Sequence, residues 1–206
     1  MALTDKLTAI ADAIRAKTGG TAQMSLDEMA TAVAGIETGG GATEPYVEET
    51  YINNADLRTA KLVGYTFVRD NMFKYCKNLG SVYLPNSVTW IGASSFYECS
   101  NFTAITFPSN LDTIKRYAFY DNYLKNLTFP SSLTTLDDGA FCNCTHLISV
   151  TFEGTPTTIY NTVFKSCTNL ATINVPWAEG AVANAPWGAT NATINYNYTG
   201  GTTDAE

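Results

Sequence analysis

The stretch Leu124-Lys-Asn-Leu-Thr-Phe-Pro-Ser-Ser-Leu-Thr-Thr-Leu-Asp-Asp-Gly-Ala-Phe-Cys-Asn-Cys-Thr145 decides the fold. Leu127 and Phe129 alternate with Asn126 and Thr128, which is the pattern of a short strand with one buried face. Pro130 ends the strand, because it has no N–H to give to a ladder. Leu133 and Leu136 point back inward on the return, Ala140 and Phe141 fill the wide end, and Cys142 to Thr145 turns into the next unit. One such unit cannot bury its apolar face alone, so it needs copies of itself stacked above and below.

Working outward, the copies are there. Phe73, Phe96, Phe119, Phe141 and Phe164 recur at intervals of 23, 23, 22 and 23. Val82, Ile105, Leu127, Val150 and Ile173 keep the same beat. So do Leu79, Phe102, Leu124, Leu147 and Leu170, and Val68, Ile91, Ile114, Leu136 and Ile159. Pro85, Pro108 and Pro130 mark a further position, with Pro176 at the last copy. Registers held in phase in this way are the signature of a repeat architecture. The expectation is a mainly β solenoid of about five rungs of 22–23 residues, about 25 Å long at the usual strand spacing.

Each unit reads Leu-x-x-Val-x-Phe-Pro-x-x-Leu-x-x-Ile-x-x-x-Ala-Phe-x-x-Cys-x-Asn, and this resembles the BspA-like leucine-rich repeat family. The likeness covers residues 61–175 and is plain in Leu79-Gly-Ser-Val-Tyr-Leu-Pro-Asn-Ser-Val-Thr-Trp-Ile-Gly92, followed by Ser95-Phe96 and Cys99. Asn122 departs from it by standing where cysteine is usual, and the first unit lacks the proline and looks like a cap. The resemblance implies surface recognition or adhesion without catalysis.

The flanks read differently. Leu3, Leu7, Ile10 and Ile14 lie on one face of a helix over residues 3–17, ended by Gly19-Gly20. A second helix starts at Ser25, where Ser25-Leu-Asp-Glu28 fits a capping box and Leu26, Met29, Val33 and Ile36 follow at helical spacing. The hairpin they form carries too little core for a free domain. It either caps the solenoid or associates with itself or a partner. Gly39-Gly40-Gly41 favours the second reading, because a docked cap needs no flexible linker. Leu7-Thr-Ala-Ile-Ala-Asp-Ala-Ile-Arg-Ala-Lys-Thr-Gly-Gly20 and Met24-Ser-Leu-Asp-Glu-Met-Ala30 also resemble a helical leader of phage and prophage structural proteins of gut Gram-positive bacteria, which implies virion or tail association. The expected division is 1–37 for attachment or homo-oligomerisation, 38–59 for a Gly-rich linker and acidic lead-in, 60–176 for the solenoid, and 177–206 for a C-terminal cap and disordered tail. Within that cap, Ala192 to Tyr198 alternates like a closing strand, with Trp177 and Trp187 as aromatic cover.

Composition narrows the function. The 206 residues are 45% hydrophobic and 15% charged, enough to bury a core. The formal charge is -7, which gives no basis for electrostatic capture of nucleic acid. No apolar run approaches a membrane span, and the first residues do not read as an ordinary secretory signal. Cys76, Cys99, Cys144 and Cys167 fall in register and read as a reduced inner ladder, with a disulfide between adjacent rungs, Cys76 to Cys99 or Cys144 to Cys167, as the alternative; the only close pair, Cys142 and Cys144, does not suit zinc. His146, the single histidine, takes a turn position that other copies fill with Asn. Asp137 and Asp138 are adjacent on a turn and diverge, unlike a catalytic carboxylate pair. No nucleophile, phosphate loop, metal or cofactor motif is present, so the expectation is no enzyme and no cofactor.

Two surfaces remain for binding. The strand face presents small polar positions with Tyr83, Thr106, Thr128 and Thr151 among them. Trp90, Tyr97, Tyr117, Tyr120 and Tyr123 fall at non-core positions, mostly near turns; they either make a stronger contact patch or pack along the side of the solenoid or under its flanks. The resulting expectation is a phage or prophage tail-associated protein whose solenoid meets a protein or glycan on a bacterial surface. The alternatives are an exported bacterial adhesin and a structural spacer.

Overall fold

Most turns of the coil carry two short strands, because two stretches per repeat alternate inward and outward side chains and the copies above and below supply their ladder partners. The computed structural model describes residues 51–200, so the expected hairpin over 1–37, its linker and the tail beyond residue 200 lie outside the described residues. The strands run β1 (Thr59–Lys61), β2 (Phe67–Val68), β3 (Ser81–Tyr83), β4 (Trp90–Ile91), β5 (Thr113–Ile114), β6 (Asn126–Phe129), β7 (Thr135–Leu136), β8 (Ser149–Phe152), β9 (Thr158–Ile159), β10 (Thr172–Asn174) and β11 (Thr193–Asn195). All their pairings are parallel, and partners sit one repeat apart: Leu127 faces Val150, and Ile91 faces Ile114. The mainly β solenoid expected from the repeat is therefore the fold.

The phenylalanine register is a physical stack. Phe73, Phe96, Phe119 and Phe141 lie one above another with ring centroids 5.1, 4.9 and 5.0 Å apart, and Phe164 continues the series at 6.0 Å. All five are fully buried. Their amides donate to the next turn as well, for example Phe96 N to Ala118 O at 2.7 Å and Phe119 N to Ala140 O at 2.8 Å. Side-chain burial and backbone pairing thus fix the same register.

The cysteine column has a specific task. Cys99 Sγ donates to Phe73 O at 3.0 Å, Cys144 Sγ to Phe119 O at 3.1 Å, and Cys167 Sγ to Phe141 O at 3.1 Å. Asn122 fills the same position and donates through Nδ2 to Phe96 O at 2.7 Å. The departure from cysteine therefore preserves the bond that the position exists to make. It leaves Asn122 Oδ1 buried without a partner, and Ser95 Oγ shares that condition. All five cysteines are free thiols.

The coil makes about six turns, one more than expected. Phe164 N donates to Trp187 O at 2.9 Å, and Trp187 is fully buried. Trp187 follows Phe164 by 23 residues, so it holds the phenylalanine place in a further turn that β11 closes by pairing in parallel with β10. Trp177 packs at 6.3 Å from Trp187 and 5.3 Å from Phe152, the aromatic cover expected at this end.

The strand face is interrupted at one rung. Residues 104–107 stand at the strand position of the third repeat but pair with neither neighbour. The face is consequently divided into a two-stranded sheet, β1-β3, and a four-stranded sheet, β11-β10-β8-β6, while the second side keeps an unbroken five-stranded order. The core of this rung also differs from its neighbours. Phe102 is the single aromatic in the register otherwise filled by Leu79, Leu124, Leu147 and Leu170. It stacks on Phe96 at 5.2 Å.

Candidate binding surface

The turns that follow the second strand place residues in the left-handed backbone region twice per repeat. One series is Asn71, Ser94, Tyr117 and Gly139; the other is Tyr75, Glu98, Asp121, Asn143 and Ser166, with φ between 53° and 64° throughout both. Asn, Asp and Gly suit such positions, whereas a bulky side chain there is uncommon. Tyr75 and Tyr117 occupy them at φ 63° and 54°. Strain of this kind gathers at ligand-contacting sites.

Those two tyrosines belong to a column. Tyr75 meets Tyr97 edge-on at 5.6 Å, Tyr97 stacks on Tyr120 at 4.6 Å with planes 9° apart, and Tyr120 meets Tyr117 edge-on at 5.8 Å. All four are half-buried. Lys74 Nζ lies 5.1 and 5.0 Å from the Tyr75 and Tyr97 ring centres, and the Arg116 guanidinium lies 4.7 Å from that of Tyr117. Arg116 Nη2 donates to Tyr117 Oη at 3.2 Å, and its Nε pairs with Asp138 at 3.2 Å. Burial pushes the Tyr97 and Tyr120 phenols up, with Tyr120 and Glu98 adding to the effect at Tyr97 and Cys142 and Asp121 at Tyr120. Both hydroxyls therefore remain neutral hydrogen-bonding groups. Gly139 makes room for the column: a Cβ there would lie 2.2 Å from Tyr117 Cε1.

The other expected residues are dispersed. Trp90 sits on β4, stacked on Phe67 at 4.3 Å and capped by Lys115 Nζ at 3.8 Å from its ring centre. Tyr123 is exposed and stacks on His146 at 4.1 Å, which gives that histidine a partner at its surface position. Tyr83 is 55% exposed on β3, with Lys61 Nζ 5.4 Å from its ring centre. Thr106 and Thr128 are exposed, and Thr151 is half-buried and accepts from Asn174 Nδ2 at 3.2 Å. Among the described residues no ring contact joins Trp90 or Tyr123 to the tyrosine column. Sequence reading missed Tyr75, Lys74 and Arg116. Tyr75 carried a signal, since it precedes Tyr97 by one repeat.

Asp137 and Asp138 serve the coil. Asp137 Oδ1 accepts from the Asp138 amide at 2.7 Å, and Asp138 accepts from Thr162 Oγ1 one turn on. Among the described residues no group of three or more His, Cys, Asp or Glu side chains could hold a metal ion. No helix among them is long and apolar enough to cross a membrane.

A stack of parallel turns with one buried phenylalanine and one leucine column per repeat defines the class: a leucine-rich-repeat solenoid. Residues 66–182, more than half of the chain, match the family model of the BspA type leucine rich repeat region in six copies, and the chain belongs to that family. Among solved structures it is similar to a leucine rich repeat protein of T. pallidum, at 24% identity and a TM-score of 0.56, over 61% of this chain and 62% of that one. It is also similar to a leucine-rich repeat protein from Bacteroides ovatus, at 27% identity and a TM-score of 0.55, over 60% of this chain and 32% of that one. The matches thus span less than two thirds of either relative. No curated protein matches the chain.

Proposed function

We propose that this protein is a non-catalytic recognition protein that binds a protein ligand at a bacterial surface through the tyrosine column of its solenoid. The observation that carries this reading is the placement of Tyr75 and Tyr117 in the left-handed region, flanking Tyr97 and Tyr120. Rigid aromatics with a free hydroxyl supply large contact area at low entropic cost, and Tyr with Arg dominates binding energy at interfaces. Membership of a repeat family whose extended surfaces serve for binding supports it.

The repeat family favours display at a bacterial surface, whereas attachment to a phage particle draws its support from residues 1–37 alone. Self-association through those residues would multiply weak contacts by avidity. The test is binding of the fluorescently labelled full chain to intact Gram-positive and Bacteroides cells, before and after surface proteolysis. A protein ligand predicts saturable binding that proteolysis abolishes. Binding that survives proteolysis and is lost after deglycosylation would overturn the protein-ligand reading.

A further inference from the structure

The break in the strand face is a second candidate site. Within residues 103–107 no backbone amide or carbonyl takes part in a hydrogen bond to either neighbouring turn, although the same coil is zipped above and below along its second side. In other repeats the corresponding bonds are present, for example Gly80 N to Arg58 O at 2.8 Å and Ala171 N to Ile148 O at 2.9 Å. A groove of about 520 Å³ between β3 and residues 104–107 is lined by Val82, Leu84, Ile105 and Phe107, whose side chains point into the coil, together with Tyr83 and Thr106 on its rim. Inward-facing side chains therefore border this groove. Accordingly Val82, Leu84 and Phe107 are 8, 6 and 7% exposed, while Val150 and Ile173 in the closed part are at 0%. A second groove of about 350 Å³ opens on the other side of the same segment.

We infer that the groove between β3 and residues 104–107 binds an extended, largely uncharged peptide segment of a partner protein, which adds to the free edge of β3 as a strand. An unpaired edge is a template for another extended backbone, and main-chain bonds supply affinity while alternate side-chain pockets supply specificity. The floor of Val82, Leu84 and Phe107 takes the alternate apolar side chains, and the neutral rim disfavours charged ones. Phe102 holds the groove open from within. This extends the reading of the protein as a protein-binding module but uses no residue of the tyrosine column. Tyr97→Ala therefore leaves peptide binding unchanged, whatever becomes of cell binding.

The probe is the synthetic peptide Leu-Ile-Ser-Val-Thr-Phe-Glu, copied from residues 147–153 with a lysine tag, titrated onto the full chain and followed by anisotropy and amide hydrogen exchange. Without peptide, the amides of residues 103–107 should exchange much faster than those of β6 and β8. With peptide, exchange in residues 81–84 and 103–107 should slow. N-methylation of alternate peptide amides should weaken binding at least about tenfold, because it removes ladder bonds and keeps the side chains. Phe102→Leu should let the native ladder close, slowing exchange at residues 103–107 and reducing peptide binding by a similar factor. Protection of residues 103–107 in the free chain would overturn the proposal, since the groove would then be closed or filled by this chain or a second copy. No binding of the peptide, or equal binding of its N-methylated form, would overturn it too.

Discussion

Asn122 shows what one position in a repeat is for. The Cys and Asn side chains there donate to the carbonyl of a buried phenylalanine one turn away, so the donor is what matters. Asn122→Leu removes it and should cost about 1–3 kcal/mol in urea unfolding, the penalty for an orphaned buried carbonyl. Asn122→Cys keeps a donor and removes the unpaired Oδ1, so it should cost less than half as much. The thiols have a second consequence. Burial pushes Cys99 and Cys167 up to about 12 and Cys144 well above its usual value. A raised folded pKa contributes stability that is complete below the unfolded thiol value, near 8.5, and is lost as pH rises from there towards about 12. The urea midpoint should therefore fall between neutral pH and pH above about 10, and the Cys99→Ser, Cys167→Ser double variant should flatten that fall. An unchanged slope would contradict the assignment. Half-buried Cys142 should be the first thiol to react with iodoacetamide in the native protein, as measured by mass spectrometry of the labelled peptides.

At the scale of the element, each turn stands by two mutually reinforcing devices, a ring stack inside and a hydrogen-bonded ladder outside. Phe119 lies at the centre of the stack, in contact with Phe96 and Phe141, and Phe119→Ala should destabilise by about 3–5 kcal/mol in denaturant unfolding. The turn segment makes a subtler prediction. Gly139→Ala puts a methyl group into the Tyr117 ring at φ 63°, so it should lower stability by about 1–2 kcal/mol and displace Tyr117, seen as a changed tyrosine fluorescence. The phenylalanine, leucine and isoleucine registers were legible because burial admits few residue types at a fixed place in the coil. The sixth turn was not, because Trp187 replaces the phenylalanine and β11 follows β10 after a shorter interval. The broken ladder was not legible either. Ile105-Thr106-Phe107-Pro108 has the same pattern as Leu127-Thr128-Phe129-Pro130, yet only the second stretch pairs. Of the candidate site, Tyr97, Tyr117 and Tyr120 were found from sequence as non-core aromatics. That Trp90 belongs to another face required the coil's second sheet to be built first.

For the whole molecule, the solenoid is a scaffold on which outward residues gain position from the repeat interval. Tyr75, Tyr97 and Tyr120 are neighbours because they are one repeat apart, just as the buried phenylalanines are. A surface built this way changes by substitution at outward positions without disturbing the core, which suits recognition and asks for no reacting group. The most direct measurement is equilibrium binding of the full chain to bacterial cells, wild type beside Tyr97→Ala, Tyr120→Ala and beside Trp90→Ala, with circular dichroism confirming the fold of each. The tyrosine column predicts at least about a tenfold loss of affinity for the tyrosine double variant and little change for Trp90→Ala. Undiminished binding by the folded double variant would contradict it.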